Sequence, residues 1–317
     1  MNGFAFHIAG GRAAELPVDA ALGGDPQLTW VHLTSHDAGT RAWLAETARL
    51  DPYVVDALTA TETRPRCEAV GTGAIVNLRG RSKVELDSSD LLGSVRLWAE
   101  AGRVFSVARN PLFAVAEVRR QVAAGQAGDP GDLITAFATA ITEDLDPHVA
   151  ELGDCLDECE EALDADRVFE LRRRVTKVRA AAIGYRRFVG PQRQALEKLA
   201  NLQGAWLAED DRLHLAGAAD RAARMTEELD SIRDRATLIH EALTDLRAEQ
   251  IDSRALVISI VAMVFLPLTF LTGLYGMNVE GLPFAQEPWA FDAIAAACLV
   301  IAVGVVGWFV HRHWFRG

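Results

Sequence analysis

Residues 255–278 read ALVISIVAMVFLPLTFLTGLYGMN, and the disposition of this stretch decides the fold. No charged residue occurs from Ala255 to Tyr275, and none occurs in a second apolar run from Ala293 to Val310. At about 1.5 Å of rise per helical residue, each run reaches roughly 30 Å, enough to cross a bilayer. The joint between them is short and begins Gly276-Met277-Asn278. Two spans joined by a short loop favour passage of something across a membrane over soluble enzymology.

The flanking charges give an orientation. Arg247 and Arg254 precede the first run, and Arg312 and Arg316 follow the second, with His311 and His313 beside them. The joint carries Glu280 and Glu287 and no Lys or Arg. Because cytoplasmic flanks are enriched in Lys and Arg, both ends are expected inside and the joint outside. Trp289, Trp308 and Trp314 lie where an interfacial aromatic belt belongs. The first residues show no basic segment followed by an apolar one, so no secretory signal is expected.

The net charge of −12 argues against a nucleic-acid partner, which needs a basic surface, and suits attraction of cations. Cys67, Cys155, Cys159 and Cys298 are scattered with no CxxC, as in a reducing compartment without a disulfide framework. No GxGxxG, GxxxxGK(S/T), GxSxG or HExxH occurs, so no enzyme is indicated and no covalently bound cofactor is expected.

Short β-rich runs at Thr29–Leu33, Gly73–Leu78, Ser94–Ala99 and Arg103–Ala108 predict an α/β layer domain. Glu100-Ala101-Gly102 predicts a hairpin turn, and Asp37 and Asp51-Pro52 predict helix starts. Beyond Asn110 the chain reads as helix. Asp146-Pro147 is expected to end one helix and start the next, since proline suits a first turn. Residues 121–166 hold 13 acids and no Lys or Arg, whereas 167–198 hold 10 bases and 2 acids. That division predicts a charge-paired helical hairpin turning at Asp164-Ala165-Asp166.

From Asp211 to Tyr275 only Pro267 interrupts a helical pattern. Met225, Leu229, Ile232, Ala236, Ile239, Leu243 and Leu246 repeat at alternating spacings of four and three, an apolar seam that must pack on its own domain or on a neighbouring subunit. Asp234, Glu241, Asp245 and Asp252 fall within about 20° of one line at 100° per residue. Continued into the apolar run, the line meets Ser259, Met263, Leu266 and Phe270, with Thr269 beside it. In several copies around an axis the acids become carboxylate rings that draw cations, below an apolar constriction. In one copy they are a solvated face with Arg235 and Arg247 as neighbours.

Tyr275-Gly276-Met277-Asn278 and the preceding Phe265-Leu266-Pro267-Leu268-Thr269-Phe270-Leu271-Thr272-Gly273-Leu274 resemble the signature of the CorA superfamily of divalent cation transporters. Glu62-Thr63-Arg64-Pro65-Arg66-Cys67, Asn77-Leu78-Arg79-Gly80, Arg186-Arg187-Phe188, Pro191-Gln192-Arg193, Val279–Pro283 and His311-Arg312-His313-Trp314 resemble its ZntB branch, associated with zinc. Glu280 resembles the acidic loop position of magnesium-type members.

The resemblance implies an α+β membrane protein of the bacterial inner membrane. It would have an N-terminal cytoplasmic α/β/α funnel domain (1–205), a stalk (206–254), a first span (255–275), an external loop (276–288), and a second span with a basic tail (289–317). It implies a homopentamer, with Gly276, Met277 and Asn278 as an outer ion-capture ring and Thr269, Leu266 and Asp252 lining the pore. The physical basis of such a ring is that the last helical carbonyls lack donors and carry the negative dipole end. Asn278 adds a neutral oxygen for ion-bound water.

Zinc favours close Cys and His, and residues 255–288 contain neither. The cargo, Zn(II) or Mg(II)/Co(II), is therefore expected to pass largely hydrated. Cys155 and Cys159, one helical turn apart near His148, could share a soft metal but read more simply as core residues.

Overall fold

The computed structural model describes residues 2–24, 26–34, 39–61, 64–86, 91–164, 167–277, 282–284 and 287–314, with the side chains of 310 and 312–314 set aside. The chain divides into two compact units. One comprises Met1–Leu163 and Phe169–His240, the other Asp164–Val168 and Glu241–Gly317.

The first unit is built on a seven-stranded mixed sheet in the order β2-β1-β3-β7-β6-β5-β4. Its strands are β1 (Gly3–Ala9), β2 (Arg12–Leu16), β3 (Leu28–Thr34), β4 (Arg66–Val70), β5 (Gly73–Gly80), β6 (Gly93–Glu100) and β7 (Arg103–Ala108). Among the described residues only β3 and β7 pair in parallel. The β6–β7 hairpin turns at Gly102, whose φ of 75° suits glycine. The four strand runs expected from sequence are β3, β5, β6 and β7. The other three were not legible. In Arg12–Leu16, RAAEL has helix-former composition, and a turn at Gly10 and Gly11 (φ 56° and 74°) folds it onto β1. In β4, RCEAV is polar because it is the sheet edge.

Period-two alternation sends β3 side chains to both faces. Val31 and Leu33 join Phe105, Val107, Leu44, Val54 and Leu58 in a core beneath α1 (Thr40–Ala42), a following π turn and α2 (Pro52–Thr59). On the other face Trp30 meets Phe137 edge-on at 5.7 Å, from α4 (Pro130–Glu161). With α3 (Phe113–Ala123) on that side, the unit is an α/β/α layer domain. Each large side chain so buried contributes about 1.5–3 kcal/mol.

Asp51 caps α2, accepting from the Tyr53 amide at 2.8 Å, as its position before Pro52 predicts. The start expected at Asp37 lies outside the described residues. Asp146-Pro147 does not end a helix. α4 runs through it, with Pro147 inside. Proline removes one backbone bond there, and the fully buried Leu145 and Val149 hold the turns on either side.

α5 (Val168–Ala200) follows α4, and the turn between them lies partly outside the described residues. The acidic helix is paired from more than one neighbour. Arg174 of α5 meets Glu158 at 2.6 Å, while Arg235 of α6 (Glu209–Tyr275) meets both Asp157 and Glu160. Such half-exposed pairs contribute roughly 0–1 kcal/mol each.

α6 is one helix of 67 residues. Its seam residues Met225, Leu229, Ile232, Ala236 and Ile239 are buried in the first unit. In the second, Leu243 is buried and Leu246 half-buried. From Met225 to Ile239 the seam is therefore covered within the first unit. The C-terminal helix is α7 (Ala290–Trp314).

Candidate functional site

In the second unit the apolar parts of α6 and α7 have mean hydropathies of 2.5 and 2.3, and their most apolar windows are 0% and 6% buried. Ile258, Leu266 and Phe270 are each 69% exposed, and Val300 is 70% exposed. Apolar surface on this scale has to be covered by lipid or by other copies. Partly covered residues recur at helical spacing on α6 (Leu256, Ile260, Val264, Leu268, Leu271) and on α7 (Ile294, Cys298, Ile301, Val305), the pattern of helices packed along one seam. Ser259, Met263, Leu266 and Phe270 lie roughly 100° around α6 from that seam, and all are exposed, as is Thr269. The stripe read from sequence is thus on an uncovered face.

Polarity along this face is muted. Ser259 Oγ donates to the Ala255 carbonyl at 2.9 Å; on the far side of the helix Thr272 Oγ1 donates to the Leu268 carbonyl at 3.0 Å. Pro267 has no amide hydrogen, so the Met263 carbonyl lacks its usual helical donor. At the C-terminal end the Gly276 amide reaches the Thr272 carbonyl at 2.9 Å, and the Met277 amide reaches the Leu274 carbonyl at 3.4 Å, tightening the last turn. Gly276 is not in the left-handed region. Its requirement is space, because a Cβ there would stand 3.0 Å from the Thr272 carbonyl oxygen. Tyr275 Oη donates to the Pro283 carbonyl at 3.4 Å, tying the helix end to the joint. Asn278 and Glu280 lie outside the described residues.

The acids of the stripe are solvent-facing. Asp234, in the first unit, pairs with Arg233 at 2.8 Å, whereas Arg235 is engaged by α4. Glu241, Asp245 and Asp252, in the second unit, are exposed.

The cysteine pair sits in different surroundings. Cys159 is fully buried, and burial pushes its thiol up. Arg174 Nη2 lies 3.5 Å from Cys155 Sγ, a cation where a metal would have to stand. His148 is taken by Arg81 and Glu151. These are the surroundings of packing cysteines.

Sequence reading did not bring Asp129, Asp132 and Asp211 together, because their separation along the chain hides their proximity. Their carboxylate oxygens lie within 4.8 Å of one another. Asp129 caps α4 through the Asp132 amide at 2.9 Å, Asp132 accepts from the Gly128 amide at 2.8 Å, and Asp211 accepts from the Ala208 amide at 2.9 Å. Each therefore already serves a helix start. Asp211 is only 3% exposed, and burial, then Asp129 and Asp132, raise its pKa. A carboxyl whose folded pKa is raised penalises folding as pH rises above the unfolded value, because the folded state must shed the more tightly held proton. Asp211→Asn keeps an acceptor for Ala208 and removes the penalty. Its apparent Tm is expected about 2–4 °C above the parent at pH 7.5, with the gap closing at pH 4, as a thermal scan at the two pH values would read.

A family model described as "CorA-like Mg2+ transporter protein" matches residues 25–312. The chain belongs to the CorA family. Among its relatives, the zinc transport protein ZntB of Pectobacterium atrosepticum is 30% identical over 284 residues, covering 89% of this chain and 86% of the relative. The divalent cation transporter CmaX of Pseudomonas aeruginosa is 32% identical over 287 residues, with coverages of 89% and 86%. The solved structure of full-length CmaX superposes with a TM-score of 0.80 at 28% identity, covering 98% of this chain and 97% of that one. The CorA-family architecture is thus present along the whole chain: a mixed-sheet N-terminal domain, a long helix and a C-terminal apolar helix.

Proposed function

We propose that this CorA-family protein is not an enzyme but a transporter of divalent cations, Zn²⁺ foremost, working as a homopentamer in the bacterial inner membrane with both termini cytoplasmic. The observation that carries the reading is the uncovered stripe of α6, which one copy cannot use and several copies around an axis turn into a conduit. The names of the ZntB and CmaX relatives support the cargo class. In this arrangement five Gly276-Met277-Asn278 ends capture the ion outside, with Glu280 nearby. Thr269, Leu266 and Ser259 line the bilayer section. Asp252, Asp245, Glu241 and Asp234 form acidic rings below. The absence of Cys and His from 255–288 suits an ion that keeps much of its water.

The test is flux into liposomes that hold a zinc-sensitive or magnesium-sensitive dye. Saturable Zn²⁺ entry exceeding Mg²⁺ entry is expected. Magnesium preference would indicate an Mg²⁺/Co²⁺ channel. No flux of any divalent ion would leave a membrane-anchored scaffold or sensor.

Asp252 tests the acidic rings. Asp252→Ala is expected to lower Zn²⁺ flux about threefold at low ionic strength and less in high salt, because charge rings act by concentrating cations. Equal flux for parent and variant at both salts would make the acids a solvated helix face.

A further inference from the structure

The first unit contains a cavity of about 710 Å³, lined by none of the residues of the proposed ion path. It lies where β1 and β3 meet the start of α3, and its size falls within the range of small-molecule sites. Leu112, Val115 and Ala116 give it an apolar wall, opposite Phe4 and Phe6.

The charged groups on its lining run against the balance of the chain. Lys83, Arg119 and Arg120 face one acid, Glu15, in a protein of net charge −12. Arg120 is held by Glu117 through two bonds. Arg119 gives Nη2 to Glu15 at 2.6 Å and lies 4.6 Å over the Phe4 ring, leaving further donors of its fork. Lys83 sits 5.7 Å from the Phe113 ring and has no carboxylate partner among the described residues. Arg119, Phe4 and His32 form one stack, since the Phe4 and His32 rings are 5.0 Å apart at 27°. Ser106 Oγ fixes His32 at 2.8 Å from its Nδ1, and burial lowers the imidazole to about 4, so this wall is uncharged near pH 7. Arg119 is therefore mounted on an aromatic platform beside an apolar wall, which holds it in place for a ligand at little entropic cost, and the exposed Lys83 adds a second cation at the rim.

We propose that the cavity binds a small organic anion, an aromatic or heteroaromatic ring bearing one carboxylate or phosphate. The ring rests on Val115 and Ala116, and the head group lies between Lys83 and Arg119. A bare inorganic ion would leave the apolar wall unused, and a neutral ring would leave the cations unanswered.

Isothermal titration of the full-length protein in lipid nanodiscs, with empty nanodiscs subtracted, tests this. The probes are 2-naphthoate, adenosine 5′-monophosphate, inorganic phosphate and 2-naphthol. Saturable binding of 2-naphthoate or of the nucleotide at one site per chain is expected, and which of them binds distinguishes a carboxylate from a phosphate head. Phosphate and 2-naphthol are expected to bind at least tenfold more weakly. Lys83→Gln with Arg119→Gln should weaken the bound anion at least tenfold, and Ala116→Phe should abolish its binding, both with unchanged circular dichroism. Lys83→Gln alone, at an exposed position, should weaken it severalfold without touching the core. The proposal is overturned if neither anion saturates, if inorganic phosphate binds as well as the nucleotide, or if the charge-neutral variants bind like the parent.

Discussion

Asn278→Ala is expected to reduce Zn²⁺ flux at least a hundredfold while the protein still assembles. The argument is one of multiplicity. A side-chain amide that accepts a hydrogen bond from ion-bound water contributes on the order of 1 kcal/mol. In the proposed pentamer five such amides around one ion would sum to about 5 kcal/mol, and each 1.4 kcal/mol is about a tenfold change in occupancy or rate. Even half that sum approaches a hundredfold. The backbone carbonyls of the last turn of α6 remain in the variant, so capture weakens without the helix losing its end. Flux in dye-loaded liposomes, read beside size-exclusion chromatography, checks both halves. Parental flux would remove the capture ring, and a collapsed assembly would make Asn278 a structural residue.

Leu266→Ser is expected to act in the opposite direction and raise basal flux on the order of tenfold. Leu266 is 69% exposed on the stripe of α6. In the proposed pentamer five leucines converging on the axis would form a ring that water leaves, and an apolar constriction of this kind closes a pore without a physical plug. Burying a leucine side chain is favourable by about 1.5–3 kcal/mol, so exchange for a small hydroxyl-bearing side chain favours the wetted state. Leu299, 66% exposed on α7, is the control. Leu299→Ser should leave basal flux near the parental value. If both variants leak equally, damage to the membrane unit is the cause. If Leu266→Ser does not leak, the constriction lies elsewhere.

Much of this was legible because α6 states itself three times over in the sequence: a helical pattern interrupted only at Pro267, a four-three apolar seam and an uncharged C-terminal third. The seam residues Met225 to Ile239 are buried as their spacing demands. Strands β3, β5, β6 and β7 were legible because they are central and β-rich, whereas the outer strands β2 and β4 carry polar or helix-forming residues that only their pairing explains. Pro147 misled because local propensity was outweighed by burial on both sides of it. The acidic trio and the Lys83–Arg119 cavity were invisible, since both assemble residues distant in sequence. At Gly276 the constraint is a neighbouring carbonyl, not a left-handed backbone.

The uncharged run of α7, Ala293–Val310, is 18 residues long, or about 27 Å along its axis, close to the hydrocarbon thickness of an average bilayer. Neither helix has spare length with which to absorb a thicker layer, and a thinner one is met by tilting. Because α6 would line the proposed conduit and α7 would follow it through the bilayer, tilt of the pair would change its bore. The acyl chains of the surrounding lipid then become a control on throughput that involves no residue of the ion path.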